Sequence, residues 1–372
     1  MKTTKRQRRL FGAGLQMQAL AAALLLMAPS CESIYDEEGD CSVTYRVAVR
    51  FTNNMLGADA FSTQVPSVNL YVFDHEDGHL ERIVRESAPW NMEGSSYTMV
   101  IDVPAGTYDL VAWGGLSDTA TFLLNAGAEP ATMDEATIRL KCETTPEGDF
   151  SSQALTPLFH AGQMAVTCPA DTFGVVTVAT LDLIKDTNTI RVMLAHNEGP
   201  IAPSDFHFAI TADNGQMDAY NQTIPGHSVT YTEWTKDSYY ITGDELAADE
   251  PADGPAAAPQ HKDSETRADY IAQPTSAVLA ELDMARLLLN HRRDAVLTVT
   301  ADGQDAPVLS VSLIELLLRF KGANHASMGD QEFLDRQDEY NFVFYINQNN
   351  GWYMNGNIYI NSWHMRLQDS DL

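Results

Sequence analysis

Between residues 43 and 51 the chain alternates without a slip. Val43, Tyr45, Val47, Val49 and Phe51 share one phase, and Thr44, Arg46, Ala48 and Arg50 share the other. A period of two in β-branched and aromatic residues predicts a half-buried strand, because successive side chains of a strand point to opposite faces. Val68, Leu70 and Val72 repeat the pattern. Asp77-Gly78 then supplies a dipeptide that favours a hairpin turn. A third strand is predicted over 97–103. Pro104-Ala105-Gly106 interrupts it before 107–113 resumes, which predicts a tight hairpin, since proline presets one turn dihedral and glycine supplies a positive one.

The pattern continues over most of the chain. Short strands are predicted at 136–140, 175–183, 189–195, 206–211, 295–300, 308–313, 340–346, 357–360 and 363–367, with Asn214-Gly215 as another hairpin signal. Residues 312–320 suit either a strand or a short helix, because Leu313, Leu317 and Phe320 also fall on one helical face. Residues 244–268 are acidic, rich in Ala and Pro, and almost free of large apolar groups, so they predict a long exposed, flexible loop. Strands at this density give an all-β fold of two tandem β-sandwich domains with short helical insertions. The expected boundaries are 43–186 and 187–372.

The N-terminus reads as an export signal. Lys2, Lys5, Arg6, Arg8 and Arg9 precede an apolar run that peaks over 20–27, too short to span a bilayer, and Ala28, Pro29 and Ser30 lead to Cys31. Residues 1–30 are thus expected to be a lipoprotein signal peptide and Cys31 the lipidated residue. The plainer alternative is an ordinary signal peptide cut nearby. Residues 31–42, with Asp36, Glu37, Glu38 and Asp40, form an acidic tether. Losing residues 1–30 removes five positive charges and no acid, taking the formal charge from -28 to -33. A chain that acidic repels nucleic acid and gains nothing from anionic lipid. Membrane attachment must then come from acyl chains, and one alone holds only marginally. Cys41, Cys142 and Cys168 remain, enough for one disulfide and a free thiol or for no disulfide, in no zinc-like spacing.

Little in the sequence suggests chemistry. His75 and His79 sit among Asp74, Glu76 and Asp77, a conceivable metal site but also the expected polar tip of a hairpin. Asp302-Gly303-Gln304-Asp305 reads as a turn between two strands. Neither matches a calcium loop, so no metal is assigned, no cofactor is called for, and no nucleophile, Walker or dinucleotide string marks an enzyme. Asn221-Gln222-Thr223 is a formal glycosylation sequon. Asp118-Thr119-Ala120 resembles the acceptor of Bacteroides-type O-glycosylation, with Thr119 as the modified residue. Residues 331–340 read as a charged connection in which Arg336 pairs with neighbouring carboxylates.

Several stretches together resemble the FimB-type fimbrial anchor lipoproteins of Bacteroides and Porphyromonas relatives. They are Ile34-Tyr35-Asp36 through Gly39-Asp40-Cys41, Ala58-Asp59-Ala60-Phe61, "VNLYVFD" at 68–74, "DVPAGTYDLVAWGGL" at 102–116 and "LTPLFHAG" at 155–162. In the second half come "DTNTIRVML" at 186–194, "ARLLL" at 285–289, "QEFLDRQDEYNF" at 331–342 and "INSWHM" at 360–365. The resemblance implies that the two sandwiches are transthyretin-like. It also implies a non-enzymatic, surface-exposed outer-membrane lipoprotein, held by acylated Cys31, that anchors a fimbrium and limits its length. Its partner would be the shaft subunit (fimbrillin), bound by β-strand addition, in which main-chain hydrogen bonds give affinity and side-chain pockets give specificity. The alternative is a glycan-binding surface lipoprotein that stacks sugars on Trp234, Tyr239, Tyr240, Trp352 or Tyr353. The plainer use of those aromatics is core or edge packing.

Overall fold

The computed structural model describes residues 43–241, 275–346, 352–354, 357–360 and 363–366, apart from positions 93, 95, 197, 198, 323 and 324. The expected signal peptide, Cys31, Cys41, the acidic tether and the 244–268 loop lie outside the described residues. The described residues form one compact unit, Thr44–Asp171 with Val175 onwards, apart from Val43 and Thr172–Gly174. Among them no helix is long and apolar enough to cross a membrane.

Strands dominate, arranged in four principal sheets. A three-stranded sheet holds Val43–Arg50 in its middle, between Gly174–Asp182 and Tyr97–Ile101. A five-stranded sheet runs Ile184–Lys185, Phe159–Cys168, Gly106–Gly114, Ser67–Asp74, Leu80–Ser87. A second five-stranded sheet runs Thr235–Ile241, Thr275–Ala285, Thr187–His196, Glu339–Ile346, Trp352–Met354. A six-stranded sheet runs Pro307–Ser312, Val296–Ala301, Phe206–Ala212, Val229–Thr232, Gly148–Ser151, Glu143–Thr145. Its last two strands come from the first half of the sequence.

The opening alternation lands as predicted. Tyr45, Val47, Val49 and Phe51 are buried while Arg50 is exposed. Phe51 meets Phe159 of the neighbouring sheet edge to face, with ring centroids 5.2 Å apart. Two central strands of the first five-stranded sheet, Ser67–Asp74 and Gly106–Gly114, are apolar on both faces, so they read as near-continuous apolar runs. In Ser67–Asp74, Leu70 and Val72 take one face and Tyr71 and Phe73 the other. In Gly106–Gly114, Leu110 and Ala112 oppose Val111 and Trp113. Tyr71, Phe73, Val111 and Trp113 belong to one buried cluster with Val192, Leu194, Phe208, Ile210, Leu282, Leu297 and Phe342. The core is thus continuous between the two sequence halves. Fully burying one such large side chain is worth about 1.5–3 kcal/mol.

Three turn and helix expectations need correction. Pro104-Ala105-Gly106 does not close a hairpin, because Tyr97–Ile101 pairs with Val43–Arg50 while Gly106–Gly114 pairs with Ser67–Asp74 and Phe159–Cys168. The break carries the chain from one sheet to another. Asn214-Gly215 is no two-residue hairpin either. Asn214 is buried, and a Cβ on Gly215 would meet the His227 carbonyl oxygen at 2.7 Å and Val229 Cγ2 at 2.6 Å, so the glycine is there for a close backbone approach. Residues 331–336, read as a charged connection, belong to a helix, Asp330–Arg336, which buries Phe333 and Leu334. The ambiguous 312–320 stretch is the helix Leu313–Arg319, with Leu313, Ile314, Leu316 and Leu317 buried. The hairpins at Asp77-Gly78 and Asp302-Gly303 form as expected, with Gly78 at φ +70 and Gly303 at φ +71.

Candidate functional site

Four of the strings that carry the family resemblance are far apart in sequence yet meet around Arg286. Its side chain is 7% exposed. Nε and Nη2 donate to Asp335 Oδ1 at 3.1 and 2.8 Å, and Nη1 donates to the Asn221 carbonyl at 2.6 Å. Asp186 Oδ1 lies 3.6 Å from Nε. Asp186 is wholly buried, and its Oδ1 accepts from Asn221 Nδ2 at 2.9 Å. The Asp186 backbone N–H donates to the Leu158 carbonyl at 2.7 Å, and two residues on His160 Nε2–H donates to the Ala219 carbonyl at 3.0 Å. Gln331 Nε2 donates to Asp335 Oδ1 at 2.9 Å and to the Leu287 carbonyl at 3.1 Å. A cleft of about 410 Å³ opens over this cluster, lined by His160, Asp182, Tyr220, Asn221, Gln222 and Arg286 among others.

Burial dominates the electrostatics. It pushes the Asp186 carboxyl up to about 7, against the opposing pull of Arg286 and the Asn221 hydrogen bond. It also holds the His160 imidazole down to about 3, partly countered by the Ala219 carbonyl, so the ring stays neutral. Asp186 Oδ2 and Asn221 Oδ1 are both buried acceptors with no hydrogen-bond partner among the described residues.

The bracing extends to the strand Val43–Arg50 and the residues after it. Arg50 Nε pairs with Asp182 Oδ2 at 2.9 Å, and Thr52 donates to the same carboxylate through its N–H and its hydroxyl. Asn53 Nδ2 donates to the Asp182 and Leu183 carbonyls. From the second half, Arg336 Nη1 donates to the Thr52 carbonyl at 3.1 Å while its Nε pairs with Glu332 at 2.9 Å. Lys185 pairs with Asp338. Arg336 therefore has the structural role expected of it, from a helix rather than a loop.

Asn214 is the residue that sequence reasoning missed. It was read as a turn former, yet its Nδ2 donates to the carbonyls of Ala285 and Arg286 at 3.0 Å each, and its Oδ1 accepts from Tyr231 at 2.8 Å. No local pattern distinguishes such an Asn-Gly from a hairpin tip.

The other candidates scatter. Thr119 is exposed on a turn, its hydroxyl 3.2 Å from that of Ser117. Asn221 of the sequon is buried and its amide is taken by Asp186. His75 bonds Asp109 at 2.8 Å, and Asp74 and Asp77 cap turn N–H groups. Among the described residues no group of three or more His, Cys, Asp or Glu side chains is placed to hold a metal ion. Cys142 and Cys168 are free thiols, both pushed up to about 11 by burial. Of the five aromatics considered for sugar stacking, Trp234 is 39% exposed. Register puts Tyr239 and Tyr353 on one face of their sheet, and Tyr240 and Trp352 in the opposite phase.

The described residues thus form a β-sheet body cross-braced by buried ion pairs. The chain belongs to the family of fimbrillin-A associated anchor proteins Mfa1 and Mfa2, whose model matches residues 37–369. This bears out the expected fimbrial anchor family and gives the protein a fimbria-associated role; the family is not one of enzymes. The chain is similar to an adhesin candidate from Bacteroides thetaiotaomicron, 26% identical, covering 89% of this chain and 100% of that one with a TM-score of 0.68. It shares its fold with a candidate polysaccharide-binding protein of the same species (22% identity, 88% and 99% coverage, TM-score 0.64). It also shares it with the fimbrial anchor protein Mfa2 of Porphyromonas gingivalis (14% identity, 88% and 100% coverage, TM-score 0.57). No curated protein matches the chain.

Proposed function

We propose that the protein is an outer-membrane lipoprotein that anchors a fimbrium to the cell surface and limits its length. Lipid on Cys31 holds it in the membrane, the 31–42 stretch is the tether, and a shaft subunit adds to an open strand edge. Thr119, exposed on its turn, is the proposed O-glycosylation acceptor. The protein catalyses nothing in this reading. The observation that carries it is the family match over 37–369, joined to the way strand Val43–Arg50 enters the body. That strand lies between two others, and the residues after it are gripped by Asp182 and by Arg336. Tension on the tether would spread into both sequence halves instead of peeling one strand. The 43–186 and 187–372 division would then separate a tether-bearing half from a half that braces it.

The test is Cys31→Ala in the native host. Fibres shed into the medium, or fibres of altered length, support the anchor. A variant that stays membrane-bound with fibres of normal length and retention overturns it.

A further inference from the structure

The second five-stranded sheet has a covered outer face. Its inner face, with Val192, Leu194, Val278, Leu282, Phe342 and Phe344, feeds the main core. The opposite phase gives a separate buried cluster of Met193, Ala195, Ala277, Val343 and Tyr345, flanked by Tyr239 and Leu279. Every one of these residues belongs to the same sheet. Met193 is nevertheless 0% and Val343 1% exposed. Neighbours within one sheet stand side by side and cannot shield each other's tips, so a second layer must lie on this face.

Register gives that face a shape. One row across it reads Tyr239, Ala277, Ala195, Tyr345, Tyr353. Two alanines between tyrosines make a trough that accepts a large apolar group.

The C-terminal ribbon has the matching chemistry. Asn357–Ile360 pairs with Trp363–Arg366, with Ile358 opposite Met365 and Ile360 opposite Trp363. These four apolar residues share one face of the ribbon, and Asn357, Tyr359, His364 and Arg366 share the other. An isolated two-stranded ribbon is marginal in water and needs an apolar surface to pack on. It begins three residues beyond Met354, the end of the sheet's own edge strand. Three extended residues reach about 10 Å, the spacing of two packed layers. The other long segment leaving this sheet, 242–274, starts with an acidic Ala/Pro-rich run poor in large apolar groups, and is a poor cover for such a face.

We propose that the ribbon Asn357–Arg366 folds back over the outer face of its own sheet and seats its Ile358, Ile360, Trp363 and Met365 face on the Ala195–Ala277 trough. This seat does not depend on the anchoring role.

A photo-crosslinking residue placed at position 363 of the full mature chain tests it. Crosslinks within one chain to strands 187–196, 275–285 or 339–346 are expected. Ala195→Trp overfills the trough and should cut that product about ten-fold, while Ala195→Gly keeps it. Ile358→Asp reads the same contact from the ribbon side, remote from the main core, and should also cut the product. Crosslinks only between chains would mean that a second copy covers the face and would overturn the proposal. So would intrachain products confined to other surfaces, or a yield indifferent to Ala195→Trp and Ile358→Asp in folded protein.

Discussion

Two arginines make the same kind of bond in opposite settings. Arg286 sits in the buried clamp with Asp335, Asp186 and the Asn221 carbonyl. Arg85 pairs with Glu129 at 2.6 Å on the surface, at the rim of a cleft beside Thr119, with its side chain 48% exposed. The surface pair is the shorter one, yet water and salt screen it, and exposed pairs are worth under about 1 kcal/mol. In the clamp, two carboxylates and a carbonyl have largely left water and gather around one guanidinium. Solvent access, rather than distance, decides which arginine matters.

That contrast can be broken by measurement. Arg286→Met should cost about 3–5 kcal/mol, the penalty for stranding buried partners, read as a lower urea midpoint. A loss under 1 kcal/mol would put the clamp on a par with the surface pair. Next comes the pH response of the clamp's two burial-shifted neighbours, which have opposite signs. The Asp186 carboxyl, near 7 folded and about 3.9 unfolded, contributes stability that is full below the unfolded value and lost as pH rises through 7. His160, near 3 folded and about 6.5 unfolded, contributes stability that is lost as pH falls from 6.5 towards 3. Between about pH 4 and 6.5 the two slopes cancel. Asp186→Asn should therefore unmask a stability that climbs with pH over that range, by up to a few kcal/mol, whereas His160→Gln should unmask a fall. Parallel wild-type and variant stability profiles would refute this assignment.

Smaller effects sharpen the comparison. Arg336→Ala, which leaves the Thr52 carbonyl with only the Asn54 N–H as donor, should cost about 1–2 kcal/mol and speed hydrogen exchange at residues 50–54. Arg85→Ala should change stability by less than about 1 kcal/mol, and the change should vanish in 1 M salt.

Much of the fold was legible because the signals are local. Alternation over 43–51 needs only the pleat, and Asp-Gly at 77–78 needs only a turn. The clamp could not be read this way. Asp186, Asn221, Arg286 and Asp335 are spread over 150 positions, each unremarkable in its own window. The strings around Asp186, Arg286 and Asp335 carried the family resemblance, but nothing in any of them said that they touch. Asn214-Gly215 and Pro104-Ala105-Gly106 misled for a related reason. Turn dipeptides report a change of backbone direction and not which strand comes next, and that choice depends on long-range pairing.

The amino-acid sequence by itself determined the strand periodicity and the strongly acidic charge, and it carries the pattern on which the proposed export signal ending at Cys31 rests. These are properties of neighbours along the chain. Only the tertiary structure decided that Val43–Arg50 is the middle strand of a sheet, that four distant strings close on Arg286, and that an apolar sheet face is covered. Burial is a property of neighbours in space. It turns an ordinary arginine, aspartate and asparagine into the brace between the two halves.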